Sequence, residues 1–387
     1  MAIATRITRI DRLTAVLAVP LLAALLLSVL SYRPNRIAPP EPRSLADVFD
    51  GGTVSAIIAS AVLLTIVLLV QHRPAVRAAI VGLAVIIHVV LLGWGAQILM
   101  EGSAPAARVS PGTGFWLGFG ALVLLLLDAI ARLQPSIRAR AALLVGTVAA
   151  LAFVLRSGLL ADLSLAAEYR GRSDAFHRAT LDHLTLAFGS FLAALIIGLP
   201  AGVLIQRRRR LRDPVLNLLT LIQTIPSMAL FGVLIVPLAW VAANIPGAAS
   251  AGIRGIGMAP ALIALFLYSL LPIVANTVAG IDAVPHNATE AATGMGMTGA
   301  EQLRMVELPL AMPVILAGGR IVLVQNIGLA TVGALIGSGG FGTFIFQGIG
   351  QTATDLILLG VLPTVALAFL ASAIMDLMIA MFRGQSQ

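Results

Sequence analysis

The feature that most constrains this chain is a series of ten apolar runs joined by short polar connectors. A membrane-spanning helix needs about 20 consecutive apolar residues at a rise of about 1.5 Å each. Runs near that length occupy 13–32, 53–70, 78–100, 114–133 and 141–160, and after a polar stretch at 161–180 they resume at 181–205, 215–243, 259–280, 311–336 and 356–382. With 59% hydrophobic and 11% charged residues, a chain of 387 residues cannot cover a water-soluble globule with polar surface, so most of its exterior must face lipid. The expected fold is all-α, a polytopic helical membrane protein. It divides into a five-span N-terminal accessory region, 1–175, and a five-span core, 176–387.

The charge pattern sets orientation. The formal charge of +8 comes from 25 basic residues, all Arg, which sit in connectors and not on a nucleic-acid face. Arg6, Arg9 and Arg12, then Arg73 and Arg77, then Arg132, Arg138 and Arg140, then five Arg between Gln206 and Asp213 all fall on one side of ten spans. The opposite connectors balance Arg with acids or hold almost none. Positive charge accumulates on the cytoplasmic side, so both termini and the 285–309 loop are expected there. The first run is longer than the apolar region of a signal peptide and lacks a clear small-residue cleavage site, so it reads as a retained anchor. No Cys is present, which excludes disulfides and thiolate metal sites. No Lys is present either, and a Walker A phosphate loop requires one. No cofactor is expected on this chain, and ATP, if it drives the process, binds a partner.

Between the eighth and ninth runs lies a polar island, 290–309, reading EAATGMGMTGAEQLRMVELP. Pro285 and the following His-Asn-Ala-Thr supply cap residues for a short helix near Glu290, whose carboxylate suits a helix N-terminus. Ala291 and Ala292 leave the backbone open to a partner's groove. Gly296 and Gly299 permit a reversal into a second short helix from 300 to 306, which Pro309 ends. The spacing Glu-Ala-Ala, three residues, Gly296, nine residues, Val306, one residue, Leu308-Pro309 resembles the EAA loop of ABC-importer permeases of the binding-protein-dependent, methionine-permease-like superfamily. The resemblance implies that Glu290, Ala291, Ala292, Gly296, Leu308 and Pro309 form the contact with an ABC ATPase, and that Arg304 and Glu307 are either further polar contacts or solvated.

The likeness extends over about 175–387. QTIPSMAL from Gln223, LLPIVANT from Leu270, GLAT from Gly328 and ALIGSGGFG from Ala334 look like permeases of the osmoprotectant branch, which move glycine betaine, choline and carnitine. That implies two permease subunits, of the same or related chains, with two ATPases and an extracytoplasmic solute-binding protein, in a bacterial inner membrane. An amino acid or another small solute is the alternative cargo. An ion-coupled secondary transporter or a membrane-embedded enzyme is a distant one, because the spans hold few acids and no dense polar constellation. Gly294–Gly299 and Gly337–Gly342 both match G-x-G-x-x-G, but neither sits in a βαβ unit; the second reads as a tight outward turn.

Polar groups within spans are costly and mark function by default. His88, Asp128, Arg156, Gln223, Asn276, Arg320, Gln325 and Asn326 qualify, although the charged ones near span ends can snorkel and the amides can bond helix to helix. Together with Pro226, Phe231 and Tyr268, residues Gln223, Asn276, Gln325 and Asn326 make the expected translocation path. Pro226, Pro237, Pro272 and Pro363 interrupt core spans, and aromatic faces attract quaternary ammonium groups. The pairs His177 with His183 and Asp174 with Asp182 do not share a helical face, and no metal site is expected.

Overall fold

The computed structural model describes residues 11–385; Arg6 and Arg9 of the first orienting cluster lie outside them. The chain divides into two compact units, the first ending at Gly171 and the second beginning at Arg172. Nine helices among the described residues are long and apolar enough to cross a membrane, and one shorter apolar helix precedes them.

The first unit opens with helix α1 (Arg12–Ala23). It continues through β1 (Leu30–Arg33), β2 (Glu41–Arg43), α2 (Leu45–Val48), α3 (Gly51–Val70), α4 (Pro74–Met100), β3 (Arg108–Pro111), α5 (Thr113–Leu133), α6 (Ile137–Arg156) and α7 (Ser164–Gly171). The first apolar run is therefore not one spanning helix. Its helical part has 12 residues, about 18 Å at the α-helical rise, which is short of a hydrocarbon core of about 30 Å. The end of the run is captured by pairing: β1 lies between β2 and β3 in an antiparallel sheet, with Leu30 opposite both Arg43 and Pro111. Leu30, Phe49, Val109 and Phe115 close one core of this unit, and Leu17, Leu68, Val81 and Leu125 another. His88 bonds to the Phe115 carbonyl at 3.1 Å and stacks on the Phe115 ring.

Arg77, counted above among orienting connector charges, stands in the first turn of α4 with its side chain fully buried. Its guanidinium donates to the Leu68 carbonyl and the Thr14 hydroxyl, both at 2.9 Å, and lies 3.5 Å from Asp11 and 3.7 Å from Asp128. Arg132, on the outside, bonds the same two carboxylates. Burial pushes the Asp11 carboxyl up, but hydrogen bonds from Thr14 and Arg132 and the charge of Arg77 outweigh it and hold the group at about 2. Because this folded value is depressed, the stability Asp11 contributes is complete above the ordinary carboxylate range and is lost as pH falls through about 2.

The second unit begins with α8 (Ser173–Leu184), a π-helical turn (Thr185–Gly189) and α9 (Ser190–Arg207), one continuous helical rod that is polar at its start and apolar from the π-turn on. The run expected as a single span at 215–243 is instead two helices, α10 (Arg209–Thr224) and α11 (Ser227–Asn244). Pro226 disfavours helix at Ile225, whose backbone is extended, and so divides them. Then come α12 (Met258–Asp282), α13 (His286–Gly294), α14 (Gly299–Gln302), α15 (Leu308–Gly333), α16 (Gly342–Gly350) and α17 (Thr354–Gln385). Helix α12 is central, packed on α9 and on α15, and α15 packs in turn on α17. The close approach of α9 to α12 comes from Gly198 and Gly202, a small-x-x-x-small pair. A Cβ at Gly202 would lie 2.6 Å from the Thr277 Cβ, and one at Gly198 2.9 Å from the Ile273 Cγ2. Gly202→Val is expected to destabilise the purified chain by about 1–3 kcal/mol through overpacking, read as a lower unfolding midpoint in mixed micelles. Arg320 pairs with Asp376 between α15 and α17, so this intramembrane charge has an internal partner.

Candidate functional site

The 285–309 loop forms two short helices joined by a sharp turn. Pro285 precedes α13, and the chain reverses at Gly296, whose φ of 81° is left-handed. Thr298 and Glu301 close a capping box on α14: the Thr298 hydroxyl and backbone N–H both donate to Glu301 at 2.7 Å, and the Glu301 N–H donates back at 3.4 Å. Gly299 is the first residue of α14 and not part of the reversal. The second short helix does not stop at Pro309. It runs through a π-helical turn (Leu303–Glu307) directly into α15, with Pro309 in the first turn of that helix. Proline lacks an N–H and its ring crowds the carbonyl four residues back, so the widened turn relieves a conflict that would otherwise end the helix.

The outward face of α13 carries Glu290, with 67% of its side chain exposed and paired to His286 at 3.2 Å, and the exposed Ala291. Met295 follows at 69% exposure, and Met305 further along the loop is exposed as well, so the loop presents flexible apolar side chains beside its polar ones. Ala292 turns inward and is buried, so of the two alanines one offers surface and the other seats the helix. Leu308 is half-buried and Pro309 exposed. The loop is clipped to the bundle by Glu307, buried and ion-paired with Arg207 at the end of α9. Nearby, Gln206 and Arg212 both donate to Asp282 at the end of α12, at 3.2 and 2.9 Å. Identical charge types scattered along the sequence gave no sign that Arg207 and Glu307, one hundred residues apart, would meet.

Four expected path residues gather at the α10–α11 break. Gln223 donates to the Tyr268 carbonyl at 3.3 Å, and the Tyr268 hydroxyl donates to the carbonyl of Ile225, next to Pro226. Phe231 packs in the same cluster with Leu186 and Leu265. Asn326 joins through the residue beside Tyr268: its amide donates to Ser190 at 2.9 Å and to Ser269 at 2.8 Å, all three side chains being buried. This node links α9, α12 and α15. Asn276 stands apart, donating to the Pro272 carbonyl at 2.7 Å and packed against Gly318, where an added Cβ would lie 2.6 Å from it. Gln325 is half-buried and makes no side-chain hydrogen bond among the described residues.

At the other end of the bundle, Gly337, Gly339 and Gly340 all have left-handed φ, near 80°. A Cβ at Gly339 would strike the Asp182 carboxylate, and one at Gly340 would lie 3.1 Å from the His183 Nδ1. Phe341 packs 4.8 Å from the His183 ring. The glycine-rich turn is thus seated on α8.

Two family descriptions match the chain. Residues 11–166 match the N-terminal domain of the ABC transporter permease YehY, and residues 194–384 match the binding-protein-dependent transport system inner membrane component. The chain is similar to the osmoprotectant import permease protein OsmW of Salmonella typhimurium, 44% identical over 49% of this chain and 83% of that protein. It is also similar to the glycine betaine/carnitine/choline transport system permease protein OpuCD of Bacillus subtilis, 40% identical over 50% of this chain and 78% of that protein. Among solved structures, the MetNI methionine ABC transporter in an inward-facing conformation aligns over 55% of this chain and 98% of that chain, at 25% identity and a TM-score of 0.47.

Proposed function

This chain belongs to the family of binding-protein-dependent transport system inner membrane components, and from that premise we propose that it is the permease subunit of an ATP-driven importer of compatible solutes such as glycine betaine or choline. The observation that carries the reading is the likeness of its second half to permeases named for osmoprotectants and for glycine betaine, carnitine and choline. The chain itself catalyses no reaction. ATP is bound and hydrolysed by a separate ATPase, which docks on Glu290, Ala291, Gly296 and the adjoining surface, with Ala292, Leu308 and Pro309 shaping the loop behind it. A solute-binding protein delivers cargo from the opposite side, and a second permease subunit completes the path. The membrane is the bacterial inner membrane, with both termini cytoplasmic. The first unit supports an even number of crossings: Asp11 at the start of α1 sits beside Arg77 and Arg132, while β1 pairs with β3 at the opposite ends of α4 and α5, so the first run crosses although only twelve of its residues are helical.

Mechanically, a push on the loop is supported by a short lever. The π-turn and α15 continue it into the bundle, and the Arg207–Glu307 pair ties it to α9. Closure of the ATPases on ATP favours one of two arrangements of these helices, and hydrolysis releases it. Phe231 and Tyr268 at the α10–α11 break, buried in this conformation, offer π faces that attract a quaternary ammonium group once the helices part.

The test is uptake into vesicles holding the complex and its binding protein, with betaine, choline, carnitine, proline and methionine compared. Quaternary ammonium solutes are expected to be taken up in preference to the others. Preference for methionine, which has no quaternary nitrogen, would overturn the solute class.

A further inference from the structure

We propose that the corner between α9 and α10, together with the groove beside it, is a binding site for one anionic phospholipid. The inference requires only that the second unit spans a bilayer and stands apart from the transport reading.

The corner concentrates positive charge. Arg208 breaks the helix between α9 and α10, and Arg209, Arg210 and Arg212 open α10 without a side-chain cap. Arg207 is held by Glu307 and Arg212 by Asp282. Arg208, Arg209 and Arg210 are exposed and form no ion pair among the described residues. They line a cavity of about 600 Å³ with Gln206 and Arg207. The first turn of α10 adds its own unsatisfied N–H groups and the positive end of its dipole, so three guanidinium groups repel one another where the backbone is also positive. An anion relieves all of these at once.

The second half of the argument is apolar. Arg207 also borders a groove of about 550 Å³, between Leu199, Val203 and Leu204 of α9 and Leu308, Met312 and Ile315 of α15. The groove is open along its length, a shape that suits a chain lying along it and not an enclosed small molecule. Apart from Arg207 its lining is hydrocarbon. Pro200 and Leu204 in its wall continue an exposed strip of α9 that includes Ile196, at 73% exposure, which in a bilayer faces acyl chains. A free inorganic anion would satisfy the arginines and leave the groove empty. A zwitterionic lipid would fill the groove and bring its own cation to the arginines. A phospholipid with net negative charge satisfies both ends in one molecule, with its phosphate at Arg208–Arg210 and a chain beside Val203 and Met312. Clusters of basic residues beside a spanning helix attract anionic headgroups in general.

The experiment is native mass spectrometry of the full chain in non-ionic detergent, titrated with phosphatidylglycerol or with phosphatidylcholine of the same acyl chains. The unmodified chain is expected to retain one phosphatidylglycerol in preference to phosphatidylcholine. A triple variant Arg208→Gln, Arg209→Gln, Arg210→Gln should lose that preference, with phosphatidylglycerol affinity falling on the order of 100-fold. Val203→Trp, which fills the groove and keeps every charge, should also weaken retention. Equal retention of the two lipids by the unmodified chain would overturn the proposal, as would an unchanged preference in the triple variant. Displacement of phosphatidylglycerol by an equal concentration of inorganic phosphate would mean an anion site without a lipid chain and would overturn it too. So would exclusion of the lipid when ATPase or a second permease subunit binds the arginines in the assembled complex.

Discussion

Arg77→Met is expected to destabilise the first unit by about 3 kcal/mol or more, measured by unfolding titration of the purified chain in mixed micelles. The substitution keeps an unbranched apolar stem and removes the guanidinium. What is lost is a hydrogen bond to the last turn of α3 through Leu68, one to Thr14 at the start of α1, and the central positive charge between Asp11 and Asp128. Asp11 is buried, and stripping one partner from a buried ion cluster leaves charge that water cannot reach, which is why the cost exceeds that of a surface pair. Arg132→Met is the internal control. Arg132 contacts the same two acids, but its side chain is 42% exposed, and its loss should cost about 1 kcal/mol. Equal effects of the two variants would mean that the cluster is not held from its buried side.

Glu290→Lys is expected to leave the fold intact and to abolish ATP-driven uptake. Glu290 is exposed in α13, and its only ion-pair partner among the described residues is His286, which is more exposed still, so stability should change by less than about 0.5 kcal/mol. Function should respond very differently. A lysine there reverses the charge at the centre of the proposed docking face, beside Ala291 and Met295, and like-charge juxtaposition in an interface costs several kcal/mol, or more than about 100-fold in affinity. Co-purification with the ATPase and uptake in vesicles should fall together while the melting curve of the chain is unchanged. Intact uptake in this variant would remove the docking assignment.

Much of this architecture was legible in the sequence because lipid imposes a simple rule: every spanning segment must be apolar and must satisfy its own backbone. That rule placed the helices expected at 259–280, 311–336 and 356–382 within a few residues, and the Gly296 turn followed from a conformational need that glycine meets at no steric cost. It failed where hydropathy alone is blind. The 13–32 run has the composition of a span, yet its last residues pair into a sheet, and no local pattern announces partners as distant as 41–43 and 108–111. The break at Pro226 splits a run whose hydropathy is continuous across it, and the proline reads in sequence as an interruption and a path residue without showing that it ends one helix and starts another. Arg77 was misplaced because an arginine beside a span end ordinarily reaches for water, whereas here acids from α5 and the start of α1 come to it. The Ser190–Ser269–Asn326 node could have been sought from small polar residues at compatible depths on three spans, but their rotational setting is decided by packing. The Gly198–Gly202 spacing was present and readable as a close-packing face.

The π-turn at Leu303–Glu307 has a consequence for chain length. An α-helix rotates by about 100° per residue, and a widened turn accommodates one residue more than regular winding does. The residues before the turn are therefore about one position out of step with the regular winding of the long helix they join; Glu307 faces inward to Arg207 while Met305, two positions earlier and so about 200° round, stays in the open. Deleting one residue in this segment would remove the widened turn and return the clash between the Pro309 ring and the regular helix before it. A length change here is therefore expected to be tolerated far less than a substitution.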